Sequence, residues 1–439
     1  MHLDNDNGLS MAHISSLSTE LLSIIFRITF EGIKASSVLN WEDAATPPDL
    51  LNILLVWSRW KKVAVATPSL WTFIEINGRS FQGVQERVKK NLERSKNCTL
   101  DVVVRGVRGL RTEKLDAFNS LFEEVAQHAH RWGTLRFQDM TTRALDFLDQ
   151  THLPRLVSLA ITGVFKAQRL RFNTPLLKRY VAPEGNTKLL SFKTPLPVFT
   201  HLRHSLTSKT AQMVLHHLQR SQHVLTALSL VFLEPPGTQF SIRLEDGTEF
   251  LAENLGLSLP TLTEYIVTFS PIGPWSWNAL QIAHMPHLRR LDIHWETFIP
   301  LYPNKAIPFM PQLHSLHIFA SDPQGFKDVA PPLIAATPGL EKLSLIQTYS
   351  TLSDYDEEWM YPLLVPTQDP LTTAWPQLVM LRLCGMCIPQ WDDLGKISTG
   401  RPAFKWLSVD SVCWENSTDV GQDSRAFGGN FDFVVENEP

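Results

Sequence analysis

The chain has 439 residues, 44% apolar and 19% charged, with 13 Trp and 24 Phe, a content that excludes global disorder. A formal net charge of −4 gives no general attraction to nucleic acid or an anionic membrane, and four cysteines are too few for a disulfide framework. The longest dense apolar run, Leu50 to Trp57, is too short to cross a bilayer.

The opening, Met1 to Gly8, is polar and acidic, without the basic and apolar regions of a secretory signal, so we expect an intracellular protein of cytoplasm or nucleus. In that setting the sequons at Asn97 and Asn416 are chance matches. Residues 14 to 28 place Leu21, Ile24, Ile25 and Ile28 at three- and four-residue steps, the period of an amphipathic helix. Ser18 or Thr19 can cap its first turn, where Glu20 also favours the helix dipole. A second helix is expected from Asp49 to about Ala66, with Ile53, Trp57, Trp60 and Ala64 on one stripe, ending near Thr67 because Pro68 disfavours helical geometry before it. This short module carries Leu17, Leu21, Leu22, Ile25, Phe26, Val56, Trp60, Leu70 and Trp71, more apolar bulk than so small a core hides easily. Either a partner covers part of it or it packs on the next domain; composition leaves both open.

These residues carry a family resemblance. Leu17-Ser18-Thr19-Glu20-Leu21-Leu22-Ser23-Ile24-Ile25-Phe26 resembles the opening of an F-box, and Val56-Trp57-Ser58-Arg59-Trp60-Lys61-Lys62-Val63-Ala64 is similar to its third helix. Thr67-Pro68-Ser69-Leu70-Trp71 looks like the close of that motif in a large group of fungal F-box proteins, where Leu92-Glu93-Arg94-Ser95 also has a counterpart. Two positions depart: Ser18 stands where Pro is usual and keeps a capping residue, and Trp57 stands where Cys is usual and enlarges a contact position. The resemblance implies a three-helix F-box over residues 12–74 that docks a Skp-type adaptor and, through it, a cullin. Matched to the motif, adaptor contact falls to Leu17, Ser18, Leu21, Leu22, Ile25, Phe26, Val56 and Trp60, and Leu70 and Trp71 lock the module onto the first repeat.

Residues Arg79 to Lys114 are rich in base, but Glu86, Glu93, Asp101 and Glu113 are interspersed, which reads as a solvated helical face and not a phosphate-binding stripe. Beyond residue 95 a unit recurs: Pro, then apolar positions two, five and seven residues on. Examples are Pro154-Leu156-Leu159-Ile161, Pro286-Leu288-Leu291-Ile293, Pro311-Leu313-Leu316-Ile318, Pro338-Leu340-Leu343-Leu345 and Pro376-Leu378-Leu381-Leu383. Pro260-Leu262-Tyr265-Val267 and Pro402-Phe404-Leu407-Val409 fit with aromatics, and weaker copies lie at Trp132, Pro175 and Leu225. Steps of 26, 25 and 27 residues separate Pro260, Pro286, Pro311 and Pro338, a leucine-rich-repeat period giving one strand and one return per unit. Between copies, helical patterns such as Glu113 to Ala129 place Leu115, Phe118, Leu121, Phe122 and Val125 on one face.

The expected fold is therefore an α/β solenoid: an N-terminal three-helix F-box followed by an irregular leucine-rich-repeat horseshoe over 75–414, with a mobile acidic tail at 415–439 in which Phe431 to Val435 can dock as a last strand. The slot that usually holds a laddering Asn or Cys has Val164, Glu296, Ser321, Thr348 and Met386 instead. Two long steps hold Pro235-Pro236-Gly237 with Glu245-Asp246-Gly247, and the acidic, aromatic loop Asp354-Tyr355-Asp356-Glu357-Glu358-Trp359, a candidate target-binding loop.

No phosphate loop, Gly-x-Ser-x-Gly or His-Glu-x-x-His is present. Cys384 and Cys387 have metal or redox spacing but no second such pair, and His201, His204, His216, His217, His314 and His317 read as solvent-edge histidines. We expect no catalytic residues, no metal, no cofactor and no nucleic-acid or membrane partner, but the substrate-receptor subunit of a Skp–cullin–F-box ubiquitin ligase gripping a protein target with its repeats. The alternative is a leucine-rich-repeat scaffold or sensor without adaptor binding, which the departures at Ser18 and Trp57 suggest.

Overall fold

The computed structural model describes residues 17–39, 57–78, 83–106, 110–138, 151–162, 170–182, 190–192, 197–207, 210–232, 241–243, 249–251, 257–269, 283–295, 307–320, 326–347, 374–384, 395–398, 401–410 and 432–436. The chain divides into two compact units, Met1–Pro197 and Val198–Pro439.

The first unit opens with helices α1 (Thr19–Leu39) and α2 (Ser58–Ala66) and a 3-10 turn at Pro68–Trp71. Thr67 ends α2 with an extended backbone, as the Pro after it requires. The part of the second helix expected before Trp57 lies outside the described residues. Parallel strands come next: β1 (Phe73–Asn77), β2 (Leu100–Arg105), β3 (Trp132–Gln138) and β4 (Ser158–Thr162). Helices α3 (Val84–Arg94) and α4 (Thr112–Ala126) make the first two returns. Helix α4 buries Phe118, Leu121, Phe122 and Val125, the face its spacing predicts. A side ribbon pairs β5 (Leu170–Phe172) with β7 (Leu190–Phe192), and β6 (Arg179–Val181) pairs with β4.

In the second unit β8 (His201–Leu206) leads through α5 (Ala211–Ser221) to β9 (Ala227–Phe232). Three small elements, β10 (Ser241–Arg243), β11 (Glu249–Leu251) and β12 (Leu257–Ser258), precede β13 (Glu264–Phe269), and β14 (Ala283–His284) precedes β15 (Arg290–Trp295). Then come β16 (Ser315–Ala320), α6 (Phe326–Ala336), β17 (Lys342–Gln347), β18 (Met380–Cys384), β19 (Trp406–Asp410) and β20 (Asp432–Glu436). Strands β8, β9, β13 and β15 to β20 form one parallel sheet in that order. The long step after residue 223 holds an antiparallel hairpin, β10 with β11.

The repeat pattern becomes a core by register. Leu228, Tyr265, Leu291, Leu316, Leu343, Leu381 and Leu407 stand opposite one another on successive strands, and Leu230, Val267, Ile293, Ile318, Leu345, Leu383 and Val409 form a second file. All fourteen are buried. Because strand side chains alternate, two such files seal one face of the sheet.

The recurrent Pro has a local cause. Leu156, Leu262, Leu288, Leu313, Leu340 and Leu378 each donate their N–H to the carbonyl three residues back, at 3.0–3.3 Å, closing a turn with Pro at its second position. Proline's fixed φ suits that position. The residue before each Pro, among them Leu153, Leu259, Met285, Met310 and Trp375, is also buried, adding a column that the repeat pattern read from the sequence omits. Thr337 and Arg401 occupy the same column, and the Arg401 guanidinium donates to the carbonyls of Ala374 and Ile397 at 3.0 and 2.8 Å.

Asp432–Glu436 pairs parallel with β19, the docking as a last strand expected of Phe431 to Val435, and satisfies that edge. One expectation needs correction. The histidines are not all at the solvent edge: His204 and His217 are buried, because His204 fills the file slot opposite Leu230 and His217 lies on the inner face of α5. The laddering slots at Val164, Glu296, Ser321, Thr348 and Met386 lie outside the described residues.

Candidate docking faces

Helix α1 starts where Ser18 caps it, its hydroxyl accepting from the Leu21 N–H at 3.2 Å and its carbonyl from the Leu22 N–H at 3.1 Å. Glu20 is held below the usual carboxylate range, first by its backbone N–H and then by the Ser18 hydroxyl. The inner side of the helix presents Leu22 and Phe26, sealed against Val63, Ala64, Leu70 and Trp71. Phe26 meets the Trp60 ring edge-on, centroids 5.3 Å apart. Arg59 donates to the Leu17 carbonyl, and the Ser23 and Thr67 hydroxyls pair at 3.1 Å, so the two helices are pinned at both ends of their contact.

Over residues 21–28 the other side of the same helix is bare. Leu21, Ile24, Ile25 and Ile28 are 49%, 41%, 45% and 62% exposed, and Trp57, just ahead of α2, is 42% exposed. Their spacing of i, i+3, i+4 and i+7 makes one apolar ridge. A ridge of four large aliphatic side chains left in water is an unusual cost for a soluble surface.

Of the residues that the resemblance assigns to adaptor contact, Leu21, Ile25 and Ser18 are exposed, with Leu17 half-buried. Leu22 and Phe26, assigned with them, are buried instead: helical geometry turns them inward, where they hold the helix pair together. Trp60 is half-buried and spent mainly on Phe26. Val56 lies outside the described residues. Ile24, Ile28 and Trp57 join the exposed set, and their own helical spacing was the signal for the first two.

Beneath the pair, Trp71 donates its indole N–H to the Ala64 carbonyl at 2.9 Å, and the Arg94 guanidinium lies 4.2 Å from its ring centroid. Ser95 is buried, donates to the Leu92 carbonyl at 3.0 Å and accepts from Arg131 at 2.6 Å; Arg131 also donates to the Cys98 carbonyl at 3.1 Å. The Leu92-x-Arg94-Ser95 stretch is thereby tied to the helix pair through Trp71 and to the third strand's approach through Arg131.

The second face is the outward side of the second unit's sheet, opposite the buried files. It carries Glu264, Arg290, Asp292, His317, Lys342, Arg382 and Trp406 on neighbouring strands. His317 has its pKa lowered, mainly by burial, and its Nε2 lies 2.9 Å from the Ser315 hydroxyl. The loop Asp354, Tyr355, Asp356, Glu357, Glu358, Trp359 lies outside the described residues, as does Cys387; Cys384 ends β18, half-buried. Among the described residues no helix is long and apolar enough to cross a membrane.

No protein-family model matches this chain, and no curated protein matches it at a significant level.

Proposed function

We propose that this chain is the substrate-recognition subunit of a Skp–cullin–F-box ubiquitin ligase, acting inside the cell. The observation that carries the reading is the apolar ridge of α1, exposed on a helix whose Leu22 and Phe26, on the opposite side, are sealed in the core. A surface of that kind suits burial against a partner's helical groove, and each large aliphatic side chain so covered contributes about 1.5–3 kcal/mol. In the proposed assembly the adaptor takes Leu21, Ile24, Ile25 and Ile28, with Leu17, Ser18 and Trp57 at the margin. The parallel files of the Pro-x-Leu-x-x-Leu-x-Leu units support a leucine-rich-repeat reading of the remainder, whose outward face grips a protein target. Bond-making belongs to partner subunits, and this chain supplies proximity, raising the local concentration of a target lysine.

The test is capture of a recombinant Skp-type adaptor by the full chain. A Leu21→Asp, Ile25→Asp variant is expected to lose capture while keeping the wild-type circular dichroism, because both positions are solvent-facing. Equal capture by variant and wild type overturns the assignment.

A further inference from the structure

Across β1 to β4 and β6 the first unit's sheet buries one file, Ile74, Val102, Leu135, Leu159 and Tyr180, so the residues between them face the other way. One outward row reads Phe73, Asp101, Thr134, Ser158, Arg179, and the next reads Glu75, Val103, Arg136, Ala160, Val181. Arg136 on β3 and Arg179 on β6 therefore stand on a diagonal, their backbones about 10 Å apart across the strands and about 7 Å along them. On the strand between them, β4, the outward positions are Ser158 and Ala160, both buried. Two long side chains thus flank a low floor of small ones, with half-buried Thr134 beside Ser158.

The other charges of this face are settled differently. Arg105 donates its Nε–H to the Glu75 carboxylate at 2.8 Å, so that pair largely cancels. Arg136 and Arg179 are both half-buried, yet among the described residues neither makes a hydrogen bond or an ion pair. Burial lowers Arg136 from its ordinary value; Asp101 on β2, the side away from β4, opposes that shift, and Arg179 adds to it. The two guanidiniums are thus near enough to repel. A cation drawn partly out of water is costly unless an anion meets it, and here two share one depression with their donor forks unused.

We propose that Arg136 and Arg179 form a site for a phosphate monoester, whose oxygens bridge the two guanidiniums above Ser158 and Ala160 with the Thr134 hydroxyl at the edge. Charge and shape favour this group over a carboxylate. A phosphate monoester carries a charge of about −1.5 to −2 and three terminal oxygens, enough to engage two forks at once, whereas one fork fills a carboxylate. That a protein target bears the phosphate rests on the receptor reading above; the site itself does not depend on adaptor docking.

The experiment titrates the purified full chain, without adaptor, with inorganic phosphate and separately with a short phosphoserine peptide, by calorimetry and phosphorus NMR line width. Saturable binding of at least one probe is expected, weakened about fivefold or more in Arg136→Gln and in Arg179→Gln. Arg136→Lys keeps the charge and the fold but loses the fork, so it too should bind more weakly. Lys90→Gln, removing an exposed cation of α3, should change nothing. Tighter binding of the peptide assigns a phosphorylated protein, and tighter binding of inorganic phosphate a small phosphorylated molecule. The Leu21→Asp, Ile25→Asp variant should bind both probes as the wild type does, which separates this site from the adaptor proposal. Failure of both probes to bind, or binding unchanged in Arg136→Lys and Arg179→Gln, overturns the site.

Discussion

Two adjacent residues of α1 should respond to the same truncation in opposite ways. Phe26 is buried between α1 and α2 and meets Trp60 edge-on, whereas Ile25, one residue earlier, is 45% exposed. Truncating a buried Phe to Ala costs about 3–5 kcal/mol, of which an edge-on aromatic pair can account for about 0.5–1.5 kcal/mol. Truncating a solvent-facing aliphatic stays within about 0.5 kcal/mol, and alanine's better helix propensity offsets part of that. The helix pair has a small core, so the Phe26→Ala loss should open it locally. Amide hydrogen exchange of α1 and α2 reads this directly, since local opening scales with the free energy of that segment. Phe26→Ala should lose protection in both helices by a factor of about a hundred or more, about 3 kcal/mol at 1.4 kcal/mol per decade. Ile25→Ala should leave protection unchanged yet weaken adaptor capture. Equal loss of protection in the two variants would refute the inward–outward assignment on which the docking ridge depends.

The buried histidines make the second unit acid-sensitive. Burial lowers His204 to about 4 and His217 to about 3, against an ordinary 6.5, so both are neutral when folded. With folded values below the unfolded one, their contribution is complete above pH 6.5 and is lost as pH falls toward 4, reaching about 2 kcal/mol each at pH 5. Urea midpoints at pH 7 and pH 5 should show this drop, and His217→Leu should shrink it; an undiminished drop in that variant argues against the assignment. Thr337 accepts the Trp375 indole N–H at 2.9 Å and donates to the Leu333 carbonyl at 2.8 Å, so Thr337→Val strands a buried donor. Chemical denaturation should show about 1–3 kcal/mol lost, and no change would mean the pair is not formed.

Much of the fold was readable in the sequence, and the reason is periodicity. Each Leu-x-x-Leu-x-Leu unit contributes alternating positions to a sheet face, and alternation survives translation into structure without distortion. The helix 112–126 was readable for the same cause at the other period. What escaped was whatever broke the apolar alphabet. The β8 unit, Phe199, Leu202, His204, went unseen because a histidine fills its third slot, opposite Leu230. Strand β1 went unread because Ile74 and Ile76 come directly after the helical turn that closes the first module. The column before each Pro was hidden by its neighbour, since a residue next to Pro reads as turn; Thr337 and Arg401 in that column are polar and gave no sign of burial. On α1, the motif match could not separate Leu22 and Phe26 from Leu21 and Ile25, because resemblance names positions and only the packing of α2 decides which side is covered.

Hydrogen–deuterium exchange of the full chain, alone and mixed with a Skp-type adaptor, probes the proposed docking most directly. Peptides covering residues 19–28 and the start of α2 should gain protection on mixing, while the strands of the second unit exchange as before. Unchanged exchange across 19–28 at adaptor concentrations in large excess would contradict docking through this ridge.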